Sequence, residues 1–203
     1  MNVSISKGNS KMGDISSVSL PTGKTCGDAP CARECYAKKL ERLRPNVREA
    51  YENNYRILIN DPNTYWREVE ATIMMSRFFR FHVSGDIPNA EYLSKMIDVV
   101  GRNPHCEVLC FTKRFRMVNK KIESFKDEGR QLPKNLHLIF SGWKDLVMDN
   151  PYGLPEAHVR YHDGSTTART DAKECGGNCT ECAQTNGGCW SLNYHEQVVF
   201  NKH

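Results

Sequence analysis

The chain has 203 residues, enough for one sizeable core but too few for two well-separated enzyme domains, so a single domain over residues 1–203 is expected. Hydrophobic residues at 39% and charged residues at 26% exclude a disordered polypeptide, and a net charge of +4 does not by itself imply nucleic-acid binding. No stretch has the apolar length of a secretory leader or a membrane span, which predicts a cytoplasmic protein without a membrane partner.

In chain order, a β-prone stretch at Ser16 to Leu20 leads into a cysteine loop. A helical region from about Tyr36 to Asn60 follows, interrupted near Pro45. Asp61-Pro62 is a capping residue with proline at the first helical position and opens a helix to about Arg77. Phe78 to Val83 is a strand that runs into Ser84-Gly85-Asp86. The next helix, Asn89 to Val100, carries Tyr92, Met96 and Val99 on one face, with Gly101 as its stop. Cys106 to Phe111 is a second such strand. It precedes a helix with Phe115, Val118, Ile122 and Phe125 on one face and Gly129 at its end. Further strands are expected at Leu136 to Phe140, Ala157 to Tyr161 and Gln197 to Phe200. Strands alternating with helices make this an α/β chain with right-handed crossovers and a mainly parallel sheet, open or curved into a partial (β/α) barrel. Such sheets place ligands at the carboxyl ends of their strands, where the cysteine loop, Ser84-Gly85-Asp86 and Thr112-Lys113-Arg114 all fall.

Nine cysteines, an odd number, in a reducing compartment argue against a disulfide framework and for metal ligation. In CGGNCTECAQTNGGC, spanning 175–189, the cysteines Cys175, Cys179, Cys182 and Cys189 are separated by three, two and six residues, so four thiolates can converge on one centre. Soft thiolates select an iron–sulfur cluster, expected to be of the 4Fe-4S type, or zinc; spacing alone does not separate the two. In CGDAPCARECYA, with its cysteine loop at 26–35, Cys26, Cys31 and Cys35 are separated by four and three residues and lack a local fourth ligand. Such a trio either leaves one metal position open to water or substrate, or is completed from elsewhere as a closed structural site. The two groups could also share one centre.

Cys106 and Cys110, four apart in a strand, share a face and are expected to pack as small hydrophobes. His82, His137 and His158 fall in strands without a partner spacing and are expected to be ordinary core or surface histidines. The glycine of Ser84-Gly85-Asp86 permits close approach of a ligand to the backbone, and its aspartate can receive an amine or a ribose hydroxyl. Two basic stretches, Lys38 to Arg48 and Lys113 to Lys121, are expected to be solvated helix faces. The second of them, with the aromatics Phe111 and Phe115, is the basis of an alternative: a zinc-stabilised module that binds nucleic acid.

Taken together, CGDAPCARECYAKK, FRFHVSGDIPNAEYL, LCFTKR, DGSTTARTDAKECGGNCTEC and GCW resemble the phage gene product 88 family over nearly the whole chain. That resemblance implies a phage origin, and hence the host cytoplasm, but no particular reaction. A more distant similarity is to radical S-adenosylmethionine enzymes. These have a partial barrel, a three-cysteine cluster loop after the first strand and a glycine-rich acidic motif after the second. It implies that Cys26, Cys31 and Cys35 correspond to the first motif and Ser84, Gly85 and Asp86 to the second, with S-adenosylmethionine on an open iron. The usual spacing there is three and two; the N-terminal loop has four and three, while Cys175, Cys179 and Cys182 have three and two near the chain's end. No catalytic residue is indicated.

Overall fold

The computed structural model describes residues 2–202 and shows an α/β chain built on an eight-stranded sheet in the order β1-β2-β3-β4-β5-β6-β8-β7. The strands are β1 (Ile5–Ser6), β2 (Ser16–Val18), β3 (Phe78–Phe81), β4 (Glu107–Thr112), β5 (Leu136–Ser141), β6 (Glu156–Arg160), β7 (Lys173–Glu174) and β8 (Gln197–Asn201). Only the β1–β2 pairing is antiparallel, and the sheet is not closed; β1 and β7 form its edges. The two-residue edge strands carried no sequence signal, because so short a run has no periodicity.

Between β2 and β3 lie α1 (Thr22–Thr25), α2 (Tyr36–Leu43), α3 (Pro45–Asn60) and α4 (Pro62–Met74). Pro45 ends α2 and occupies the first turn of α3, as its fixed φ favours, and Asp61 accepts a hydrogen bond from the Thr64 amide at 3.1 Å to cap α4. The remaining crossovers are α5 (Ala90–Arg102) and α6 (Phe115–Asp127). Helix α5 does not stop at Gly101. It continues to Arg102, and the Asn103 side chain donates to the Val99 carbonyl at 2.8 Å. A Cβ on Gly101 would make ordinary contact with the Pro133 ring at 3.4 Å, so the helix runs through this position without needing glycine there.

Alternation along the strands separates two cores. Phe79 and Phe81 of β3, Val108 and Cys110 of β4, and Leu136, Leu138 and Phe140 of β5 pack with α4, α5 and α6 on one face. Tyr92, Leu93, Met96, Ile97, Val99 and Val100 of α5 are all buried there, each contributing about 2 kcal/mol of apolar burial. Cys106 and Cys110 are buried in this core, as expected for packing thiols, and burial pushes the Cys106 thiol up to about 12. On the other face, Leu109, Ile139, Ala157 and Val198 meet Met12, Ile15, Ala183 and Trp190. Helices α4, α5 and α6 all lie on the first face and leave this one to other segments. It is covered by the chain between β6 and β8, which contains α7 (Cys179–Gln184) and a short 3-10 turn, Gly188–Trp190.

Asn135, just before β5, ties the start of that strand to the turn between α5 and β4. Its side-chain amide donates to the carbonyls of Val100, Asn103 and Cys106 at 3.1, 3.0 and 2.8 Å and is buried. Replacing Asn135 by Ala strands these acceptors and is expected to lower the unfolding free energy by about 3 kcal/mol. Urea unfolding checks this; a loss under about 0.5 kcal/mol, the size of a surface substitution, would assign the site no structural role.

Candidate metal centre

The turns that follow β2, β3 and β4 are locked together by Asp86. Its Oδ1 accepts from the Ile87 amide and the Thr112 hydroxyl, both at 2.7 Å, and its Oδ2 from the Lys113 amide at 2.9 Å. Its own amide donates to Thr25 Oγ1 at 3.1 Å. Gly85 has φ +81, and a Cβ there would lie 2.5 Å from the Leu20 carbonyl oxygen and 2.7 Å from Thr25 Oγ1, so only glycine fits. Ser84 donates to Glu41 of α2 at 2.7 Å, and the same carboxylate accepts from Thr22. The triplet therefore joins the strand ends to α1 and α2. Burial pushes the Asp86 carboxyl up, and the bonds from Thr112, Lys113 and Ile87 pull it down.

This junction positions the N-terminal cysteines. Cys26 is the C-cap of α1, donating its amide to the Thr22 carbonyl at 3.2 Å; Cys31 lies in the 3-10 turn Pro30–Arg33; Cys35 is the N-cap of α2. Arg114 donates to the carbonyls of Thr25 and Ile87, closing the loop against the start of α6. Burial, with Asp86 and the other two thiols nearby, pushes Cys26 up to about 12, and burial raises Cys31 also.

The C-terminal cysteines are set by different contacts. The Cys175 amide donates to Val199 of β8 at 3.0 Å, fastening the segment's start to the sheet. At the N-terminus of α7, Asn178 accepts from the Glu181 amide at 3.1 Å. The Cys179 amide donates to Lys11 and the Thr180 hydroxyl to Met12, at 2.9 and 2.7 Å, so the loop before β2 clamps this helix. Trp190, beside Cys189, packs edge-on against Phe78 at 5.3 Å and lies 5.8 Å from the His137 ring. Burial raises the Cys179, Cys182 and Cys189 thiols, the last to about 12.

The two groups meet across one cavity of about 410 Å³, whose walls include all seven of these cysteines together with Ser84, Gly85 and Asp86. Arg80, Phe111 and Phe200 form its floor on the sheet, and Lys113, whose ammonium donates to Ser141 Oγ at 2.7 Å, stands on one side. The cavity thus lies at the carboxyl ends of the strands, where sequence reasoning places it, and extends down the sheet face beneath α7. The donor chemistry fits a soft metal centre, because several cysteines on one cavity can supply soft thiolates as they lose their protons on ligation. Among the described residues, no group of three or more His, Cys, Asp or Glu side chains is placed to hold a metal ion; the thiols surround a volume instead.

Of the other candidates, His82 lines the same cavity, whereas His137 and His158 do not. His137 bonds Glu107 at 2.7 Å, and His158 lies between Glu156 and Thr167 at 3.0 and 2.8 Å. His82 follows β3 with φ +58, is buried against Phe81 and Tyr92, and neither ring nitrogen has a protein partner; burial lowers it to about 3. The stretch Lys113 to Lys121 does not form one basic face. Lys113 turns into the cavity, Arg114 is bonded inward, and Phe115 is buried against Phe140 at 4.8 Å. Arg80, which lies in the FRFHVSGDIPNAEYL stretch without a role being read for it there, and Lys11 are added to the site by the structure.

A family model described as "Gene product 88" matches residues 3–190. The chain belongs to the gene product 88 family. It is similar to the Gene 88 proteins of Mycobacterium phage L5, 30% identical over 121 residues, and Mycobacterium phage D29, 31% identical over 108 residues. These matches cover 52% of this chain and 51% of the L5 protein, and 46% and 45% for the D29 protein, so the chain spans about half the length of the relatives it matches. No solved structure matches the chain. Among the described residues of this gene product 88 member, no helix is long and apolar enough to cross a membrane.

Asp86→Asn sets an amide NH₂ against one of the three donors that now meet the carboxylate. It is expected to cost about 2 kcal/mol of stability and to loosen Cys26 and Cys31. Thermal unfolding together with hydrogen exchange of the 22–35 loop checks this; unchanged exchange in that loop would show that Asp86 does not position the cysteines.

Proposed function

We propose that this gene product 88 protein is a phage-encoded iron–sulfur protein of the host cytoplasm, with a 4Fe-4S cluster held by Cys175, Cys179, Cys182 and Cys189 and a redox or radical-enzyme-like role. One observation carries the reading: two cysteine groups about 140 residues apart in sequence line the same cavity. A single zinc ion draws its thiolates to about 2.3 Å from one point, whereas a cluster gives each cysteine a different iron and so suits donors spread around a volume.

The finer form of the proposal concerns Cys26, Cys31 and Cys35. Three ligands on a second cluster, or on the same one, would leave an iron open, and the sheet would then be a partial barrel of the radical S-adenosylmethionine kind. S-adenosylmethionine, when bound, supplies a radical. Within the chain, Ser84, Gly85 and Asp86 would line its pocket, but the Asp86 carboxylate already accepts three protein hydrogen bonds. Its main contribution is to hold the wall in place. The zinc-stabilised nucleic-acid module draws less support, since Phe115 is buried and Lys113 and Arg114 face inward.

Anaerobic purification with iron, sulfide and zinc analysis tests the proposal. About four irons and four sulfides per chain, with a visible spectrum that is lost in Cys175→Ala, is the expected result. Cys31→Ala is expected to leave that cluster in place and to remove any iron beyond it. Stoichiometric zinc without iron would overturn the proposal and favour the nucleic-acid module.

A further inference from the structure

The inner face of β3 carries one charged side chain, Arg80, flanked along the strand by Phe79 and Phe81, which point into the helical core. Two residues earlier on the same face, Phe78 packs against Trp190, so the strand runs directly beneath the 3-10 turn that bears Cys189. The guanidinium lies over the Phe111 ring at 4.9 Å, and Phe111 in turn packs against Phe200 at 5.8 Å, next to the Val199 carbonyl that receives the Cys175 amide. Arg80 therefore stands on an aromatic floor within the cavity that Cys175, Cys179 and Cys189 line. Its Nε is buried without a hydrogen-bond partner. A cation with an unused buried donor calls for an anionic group opposite it.

We infer that Arg80 is the counter-charge of the centre held by Cys175, Cys179, Cys182 and Cys189, and that it raises the reduction potential of that centre. The inference rests on the iron–sulfur reading above. Four thiolates give a 4Fe-4S centre net negative charge, and each electron added increases it, so a fixed positive charge alongside stabilises the reduced form more than the oxidised one. Phe111 holds the guanidinium in place without neutralising it. Arg80 is thus a positioning and tuning residue, not a ligand.

The test is a dithionite titration of the anaerobically purified protein, followed by visible absorption and electron paramagnetic resonance, for the wild type, Arg80→Gln and Arg80→Lys. Arg80→Gln is expected to keep its iron and sulfide but to titrate at a more negative potential, by about 59 mV or more, a tenfold change in the one-electron equilibrium. Arg80→Lys is expected to stay near the wild type. Loss of iron from Arg80→Gln with retention in Arg80→Lys would also support the charge role. An unchanged potential in a fully loaded Arg80→Gln, equal shifts in both variants, or loss of iron from both would overturn it. A wild type without iron would remove the underlying reading and the inference with it.

Discussion

A buried aspartate that joins three strand ends, two through its carboxylate and one through its amide, is the constraint on which the rest of the site depends. The peptide amides after β3 and β4 have no sheet partner at the carboxyl edge, and left unpaired in a buried turn they would cost about 1–3 kcal/mol each. Asp86 satisfies the amides of Ile87 and Lys113 and the hydroxyl of Thr112, while Thr25 Oγ1 receives the Asp86 amide. The loop after β2 is thereby fixed to the turns after β3 and β4. Cys26 comes one residue after Thr25, so the register of the first cysteine group follows from a hydrogen-bond network that contains no cysteine.

The second group is fixed by a different kind of contact, apolar packing on the uncovered face of the sheet. Crossover helices bury only one side of β3, β4 and β5, which leaves Leu109, Ile139 and Val198 exposed unless something covers them. The C-terminal segment does so through Ala183 and Trp190, and its cysteines are carried along. This cysteine-rich stretch is therefore both the lid of a hydrophobic core and one wall of the cavity. Under the proposed reading, ligation and burial of the sheet would be coupled in one element, as they are in small domains whose binding free energy is folding free energy.

The regular part of the fold was legible because period and punctuation agreed. The alternation of β3 and β4, the Asp61-Pro62 start and the Phe115, Val118, Ile122, Phe125 stripe each combine two independent signals at the right spacing. Gly101 misled because a glycine near a helix end need not be its stop: the helix runs on to Arg102, where the Asn103 side chain meets the Val99 carbonyl. The cysteines announced the site through their spacing. Their meeting across one cavity was not legible, since contacts such as Cys179 to Lys11 and Thr180 to Met12 join the two ends of the chain. Ser84-Gly85-Asp86 was readable as a turn at a strand end, but not the partners of its side chains, Glu41 for Ser84 and the Thr112 hydroxyl with two amides for Asp86.

Arg80 shows why a residue to which the sequence assigns no role can matter as much as a named ligand. On a solvated strand, an arginine between two phenylalanines would be one more member of an alternating face. Here it shares a cavity with thiols, and its Nε is buried without a hydrogen-bond partner. Under the proposed reading, ligation would remove the thiol protons and create the negative charge opposite Arg80, so the electrostatic gain would come when the centre forms rather than when the chain folds.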